Sequence, residues 1–119
     1  MKEEGVTVRA VDLSGVDRAG GVVWSVSPDG FHANLVVLDP GGSIAAHRND
    51  ALDVLIVVLT GAGTVTVDDT TIELASATAL LVPRGTTRSV IAGSEGLRYL
   101  TIHRQRAPLA VGTRRQTDV

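Results

Sequence analysis

Few side chains in this sequence could do polar chemistry away from an ordinary surface. They fall on short segments with strand-like alternation. In Ser43–Asn49 every second residue shares a face, which groups Ser43, Ala45, His47 and Asn49 and sends Arg48 toward solvent. An inward His47 has two uses: a base in a pocket, or a buried imidazole satisfied by a neighbour. Asn49 is a poor transition-metal ligand, but it can donate and accept hydrogen bonds to a bound molecule. It suits the capping of the Asn49-Asp50 turn equally well. Asp53 immediately precedes the apolar run Val54–Leu59, so it sits at a strand mouth or is buried against a partner, with Arg88 as the candidate. Arg88 carries a permanently protonated guanidinium that cannot ligate a metal. Facing inward it would hold a carboxylate, phosphate or other anionic oxygen in bidentate fashion; facing outward it is a surface arginine. In Leu97–Arg104 one face is Leu97, Tyr99, Thr101 and His103, and the other is Arg98, Leu100, Ile102 and Arg104. The two arginines mark the second face as the solvent side. Tyr99 and His103 then point inward, while Leu100 and Ile102 face out as a contact for a second subunit. His103 either joins a pocket or ends the strand in solvent. His32 and Asn34 share a parity near the start of another strand and form a secondary pair.

The elements that would position these residues are strands. Val6–Ala10, Val22–Val26, Asn34–Leu38 and Ser43–His47 alternate or are rich in β-branched residues. Asp39-Pro40-Gly41-Gly42 is a strong turn signal between the last two. The long apolar strand Asp53–Leu59 is expected to break at Thr60-Gly61-Ala62-Gly63. Thr64–Val67 turns at Asp68-Asp69-Thr70 and returns through Ile72 and Leu74. Thr78–Val82 runs into Pro83-Arg84-Gly85. Thr87–Ile91 is expected to break at Gly93-Ser94-Glu95-Gly96, before the last strand, Leu97–Arg104. No segment holds a 3.6-residue period over three turns. Short strands at this spacing predict an all-β sandwich or barrel. Gln105–Val119 reads as a loose tail.

Composition narrows the function classes. The 119 residues, at 12.4 kDa, suffice for one core and one pocket in a single domain. Cysteine is absent, which removes disulfides, cysteine nucleophiles, zinc fingers and iron–sulfur clusters. There is one each of Phe, Trp and Tyr, too few for a base-stacking platform, so no nucleic-acid partner is expected. No apolar stretch nears the ~20 residues of a membrane span, and no secretory signal is visible, so a cytoplasmic location without membrane contact is expected. Residues 1–76 hold eleven acidic and four basic side chains, and residues 77–119 hold two and seven. This asymmetry reads as two halves of one fold balancing each other.

The chain resembles a small cupin. The first cupin motif, G-x5-H-x-H-x3-4-E-x6-G, is approximated by Gly41, His47-Arg48-Asn49, Asp53 and, one residue late, Gly61. The second, G-x5-P-x-G-x2-H-x3-N, keeps its P-x-G core in Pro83-Arg84-Gly85 and has Arg88 in its His position. Ala77 and Ala92 replace its outer Gly and Asn. The resemblance implies a double-stranded β-helix, a small barrel with a pocket at one mouth. It implies a cupin core over residues 34–104, N-terminal strands in 1–33 completing the barrel or a dimer, and a tail over 105–119. Cupins commonly pair through their sheets, so the resemblance implies a homodimer.

Position by position, the four metal-binding places hold His47, Asn49, Asp53 and Arg88. The extra residue after Asp53 implies a bulge, or that Val54 stands where the acid should. If Arg88 pointed inward about 5 Å from a divalent ion, repulsion would reach ~7 kcal/mol at an effective dielectric of 20. The leading expectation is therefore a metal-free cupin binding a small polar or anionic molecule. His47, Asn49, Asp53, Arg88, Tyr99 and His103 would line its polar end, with His47 as base and Arg88 stabilising an oxyanion. A second reading is a metalloenzyme (a dioxygenase, isomerase or lyase) with His47, Asp53 and His103 holding iron, manganese, nickel or zinc. A third is a non-catalytic structural or regulatory dimer with a filled barrel.

Overall fold

A computed structural model describes residues 8–105. After a single 3-10 turn at Leu13–Gly15, seven strands follow: β1 (Gly21–Val26), β2 (Phe31–Leu38), β3 (Ser43–Asn49), β4 (Val54–Val67), β5 (Thr70–Ala75), β6 (Ala79–Val82) and β7 (Thr86–Arg104). All pairings are antiparallel. The all-β expectation holds, and the architecture is a jelly roll.

Two long strands make it so. The first part of β4 lies between β6 and the second part of β7, which continues through β2 to β1. The second part of β4 lies between β5 and the first part of β7, which pairs with β3. Each long strand thus passes from one layer to the other. The breaks expected at Gly61–Gly63 and Gly93–Gly96 are instead bends inside β4 and β7. Register shifts at Val58/Thr60 and Gly61/Gly63 supply the bulges that bend β4 while its ladder continues. Glycine is required where the two bends meet. Gly61 has φ +92°, and a Cβ there would overlap the carbonyl of Gly96.

The core fills the space between the layers. Val54, Ile56 and Val58 enter from the first part of β4, and Val65 from the second. Val90 and Ala92 enter from the first part of β7, and Leu97 and Tyr99 from the second. Val54, Ile56, Val58, Val65 and Val90 are at most 1% exposed, so each contributes roughly 1.5–3 kcal/mol of apolar burial. The turn at Asp68-Asp69 forms as expected, with Asp68 at φ +52°.

The outer face of the first layer is also apolar. Ile102 is flanked by Ala33 and Leu55, and Leu100 by Leu35 and Val57; Leu81 extends the first row. Leu55 and Leu81 are exposed, while Leu100 and Ile102 are half-buried. Arg98, expected to face solvent, instead clamps the N-terminal segment onto this face by donating to the carbonyls of Leu13 at 2.8 Å and Val16 at 2.6 Å. The strand expected over Val6–Ala10 does not form at residues 8–10, and its start lies outside the described residues. The expected tail, except for Gln105, lies outside them too. Among the described residues no helix is long and apolar enough to cross a membrane.

Candidate functional site

The ladder between β3 and β7 sets His47 opposite Arg88 and Asn49 opposite Thr86. Paired residues share a face, so His47, Asn49 and Arg88 all project toward the barrel interior. Arg88 is 6% exposed. Among the described residues its guanidinium has neither a hydrogen-bond partner nor a carboxylate beside it. Burial pulls its pKa below the ordinary arginine value, opposed in part by the negative charge that Tyr99 can carry. Tyr99, 3% exposed, faces it from the second part of β7, and burial pushes its phenol up to about 12, with Arg88 pulling the other way.

Asn49 caps its turn, one of the two roles expected of it. Its Oδ1 accepts from the backbone N–H groups of Ala51 at 2.9 Å and Leu52 at 3.0 Å, capping the turn. Its Nδ2 is buried and has no partner. His47 is half-buried, with Nδ1 3.2 Å from the carbonyl of Ala45.

Asp53 behaves differently from expectation. Its carboxylate accepts from Arg84, through the backbone N at 2.8 Å and through Nε and Nη2 at 3.3 Å each. These bonds hold its carboxyl below the usual carboxylate range. The expected Asp53–Arg88 pair does not form, for a reason of register. Val54 pairs with Val82, which places Asp53 beside the Pro83-Arg84 corner, on the rim. Val54 takes the inward position, and the extra residue of this segment is absorbed by the bulge at Val58/Thr60.

His103 lies on the inner face of the other layer, 9% exposed. Its Nδ1–H donates to the carbonyl of Arg104 at 2.9 Å, while its Nε2 is buried with no partner. Its ring stacks on His32, centroids 5.2 Å apart and planes 9° apart, because the two are ladder partners. The secondary pair His32 and Asn34 proves central to this network. His32 Nε2 lies 2.9 Å from Asn34 Oδ1, and Asn34 Nδ2 donates to Thr101 Oγ1 at 3.2 Å. Ser25 donates to Asn34 Oδ1, Ser27 contacts His32 Nδ1, and Gln105 donates to Ser27. Alternation places Thr101 on this face, whereas Ser25, Ser27 and Gln105 carry no sequence signal of their own; only their contacts with Asn34 and His32 or with one another reveal them.

A cleft of about 350 Å³ lies beside the Ala51–Asp53 loop, with Leu55, Leu81 and Ile102 of the outer apolar face, Arg84, His103 and Arg104 in its walls; Arg88, Asn49, His47 and Tyr99 do not line it. Among the described residues no three His, Asp or Glu side chains come together to hold a metal ion. The alternative triad is dispersed: His47 is on β3, Asp53 is bound to Arg84, and His103 is stacked on His32. The matched positions do no better, since Asn49 and Arg88 occupy two of the four. The residues present do not fit the metal of this fold family.

Residues 34–103 match the cupin domain family. The chain belongs to that family. This cupin is similar in structure to the cupin domain of Cnp3 from Schizosaccharomyces pombe, with a TM-score of 0.72 and 23% identity over 82% of this chain and 74% of that one. BH2720 from Bacillus halodurans superposes with a TM-score of 0.72 at 20% identity, over 91% and 89% of the two chains. KdgF from a Halomonas species gives 0.65 and 20%, over 71% and 77%. At these identities the likeness is one of fold. No functionally curated protein matches the sequence significantly.

Proposed function

We propose that this cupin binds a small anion, a carboxylate above all, inside its barrel, with Arg88 as the anchor. The observation that carries the reading is Arg88: the residue is 6% exposed, and its guanidinium has no hydrogen bond or counter-charge among the described residues. Such a group is costly in an empty site and favourable once a bidentate oxyanion fills it. Asn49 Nδ2, a second buried donor without a partner, supports the same ligand. His47, directly across the ladder from Arg88, is the group available to exchange a proton with that ligand. Arg88 would stabilise negative charge developing on a ligand oxygen. A divalent ion at the matched family position would meet the guanidinium at close range, which argues against a metal-dependent reaction.

The test is a melting-temperature screen of the protein against acetate, butyrate, succinate and inorganic phosphate, together with elemental analysis of protein purified without chelator. A concentration-dependent rise with a carboxylate, lost in Arg88→Met, is expected. No shift with any anion, or near-stoichiometric iron, manganese, nickel or zinc, overturns the reading.

The apolar rows through Leu100 and Ile102 support a further proposal, that two copies pair through the outer face of the first layer. Leu81, 59% exposed at the end of one row, is an apolar side chain that such pairing would cover.

A further inference from the structure

We infer that, in the pair of copies proposed above, the N-terminal segment of each copy seats Val8–Val11 in the cleft of the other. The inference rests on the pairing reading and names what each copy contributes to the interface. It starts from the unevenness of the outer face. Near Arg98 that face is covered: Leu35 and Val37, the ladder partners of Leu100 and Arg98, are both buried. Here Arg98 holds Leu13 and Val16 by their carbonyls, and both residues are half-buried, so the segment forms a ridge. Near Arg104 the same face is open. Phe31, Leu55 and Leu81 are exposed, and Leu55, Leu81 and Ile102 wall the cleft. Arg98 and Ile102 are four residues apart on β7, so ridge and cleft lie ~13 Å apart along the strand.

A face with a ridge at one end and a cleft at the other complements itself. A two-fold axis that lies in the interface and crosses the strands sets the ridge of each copy over the cleft of its partner. An axis along the strands would set ridge on ridge. The residues that lead into the ridge point to the same partner. Every residue from Val8 to Asp12 is exposed, with Val8 at 91% and Val11 at 49%. Arg98 therefore anchors a segment whose own valines a single copy leaves in solvent. Five extended residues span up to ~17 Å, enough to cross a cleft of this size. Charge agrees with the placement. Arg84 and Arg104 outnumber Asp53, the one carboxylate in the cleft wall, and Asp12, exposed beside Val11, brings a second. A small apolar molecule in the cleft would leave Val8 and Val11 in solvent, whereas a second copy covers both sets of apolar side chains at once.

The experiment uses the full chain, which has no cysteine of its own, so that Val8→Cys carries a single spin label. Labelled copies are mixed with untagged, isotope-enriched copies, and pairing is followed by sedimentation over a dilution series. The tag is expected to broaden the methyl signals of Leu55 and Leu81 in the untagged copies, and the broadening should vanish on dilution as the pair dissociates. Val8→Asp combined with Val11→Asp alters side chains already in solvent, so the fold should persist while the dissociation constant of the pair rises tenfold or more. Pairing without broadening between copies overturns the inference and leaves the pairing reading standing. Equally tight pairing by the double Asp variant does the same. Broadening confined to the tagged copy itself shows the chain's own segment in the cleft and also overturns it. If the protein sediments as a monomer at every concentration, the pairing reading falls and this inference falls with it.

Discussion

Replacing Arg88 with Met is expected to stabilise the empty protein and to abolish its response to anions. Arg88 is 6% exposed as a residue, and its guanidinium, which offers five N–H donors, has no protein partner among the described residues. Holding a charged group this far out of solvent without a counter-charge costs about 1–3 kcal/mol. Methionine keeps an unbranched stem of similar reach and removes the charge. For a domain of this size each kcal/mol moves the melting temperature by about 4 °C, so the empty variant should melt about 4–12 °C above the wild type. Ligand reverses the order. A carboxylate at a hundred times its dissociation constant stabilises the wild type by about 2.7 kcal/mol, or about 11 °C, whereas the variant gains nothing. Calorimetric melts over a ligand series, with and without the substitution, read both effects. Arg88→Lys is the control: it keeps a buried cation but loses the fork, so it should gain no stability and bind more weakly. The reasoning is refuted if Arg88→Met lowers the melting temperature by several degrees while the ligand-dependent rise survives. Arg88 would then be a structural residue, and the anion would be held elsewhere.

Tyr99, the single tyrosine, should titrate at about 12 by phenolate absorbance while the fold persists. Its folded pKa lies above the ordinary ~10, so its contribution is complete below pH ~10 and declines as pH rises to about 12, by roughly 2.7 kcal/mol in all. Titration at the ordinary value in the folded protein would show the ring to be hydrated. Asn49→Asp keeps an oxygen for the Ala51 and Leu52 N–H groups but loses the inward donor, so near-normal stability with at least tenfold weaker carboxylate binding is expected. Asn49→Ala loses the cap as well and should cost about 1 kcal/mol in a denaturant melt. Gly61→Ala places a Cβ against Gly96 at a left-handed φ and should cost about 2–4 kcal/mol or prevent soluble expression. Ile102→Glu should convert the proposed pair to a monomer in size-exclusion chromatography with light scattering; an unchanged mass would overturn that pairing.

The fold could be read from the sequence because its signals are local. Alternation gave the parity of Leu97–Arg104, and turn residues marked Asp39–Gly42 and Asp68–Asp69. In Ser43–Asn49 it held only for His47 and Asn49: a register shift between Ile44 and His47 turns Ile44 inward and leaves Ser43 and Ala45 exposed. The two errors of continuity share one cause. Glycine clusters at 61–63 and 93–96 look like stops to local reasoning, whereas the ladder passes through them with bulges. Whether a glycine ends a strand or bends it depends on what crosses beside it, and for Gly61 that neighbour is Gly96, distant in sequence. The partner of Asp53 was missed for a related reason. Charge suggested Arg88, but register decides: pairing of Val54 with Val82 delivers Arg84 to the carboxylate by both its backbone and its side chain.

The candidate site was readable as a set of inward residues, not as a set of needs. Parity put Asn49 and Tyr99 inside, and left Arg88 and His103 open between the interior and solvent; the structure buries both. That Asn49 spends its oxygen on the turn and keeps its amide nitrogen free does not follow from parity, and neither does the commitment of His103 Nδ1 to a carbonyl. Those two facts turn a list of polar residues into a pattern of donors and acceptors. On the proposed reading, loss of the family's ligand positions to Asn49 and Arg88 turns the same mouth from cation to anion chemistry. Arg88 repels the ion that the family's histidine would hold, and its burial without a counter-charge leaves a ligand as the natural source of one. A barrel interior carrying a largely buried arginine without a counter-charge among the described residues is poorly explained as packing alone. Apolar residues of the same volume would serve the core better, so the arrangement makes physical sense when an anion completes it.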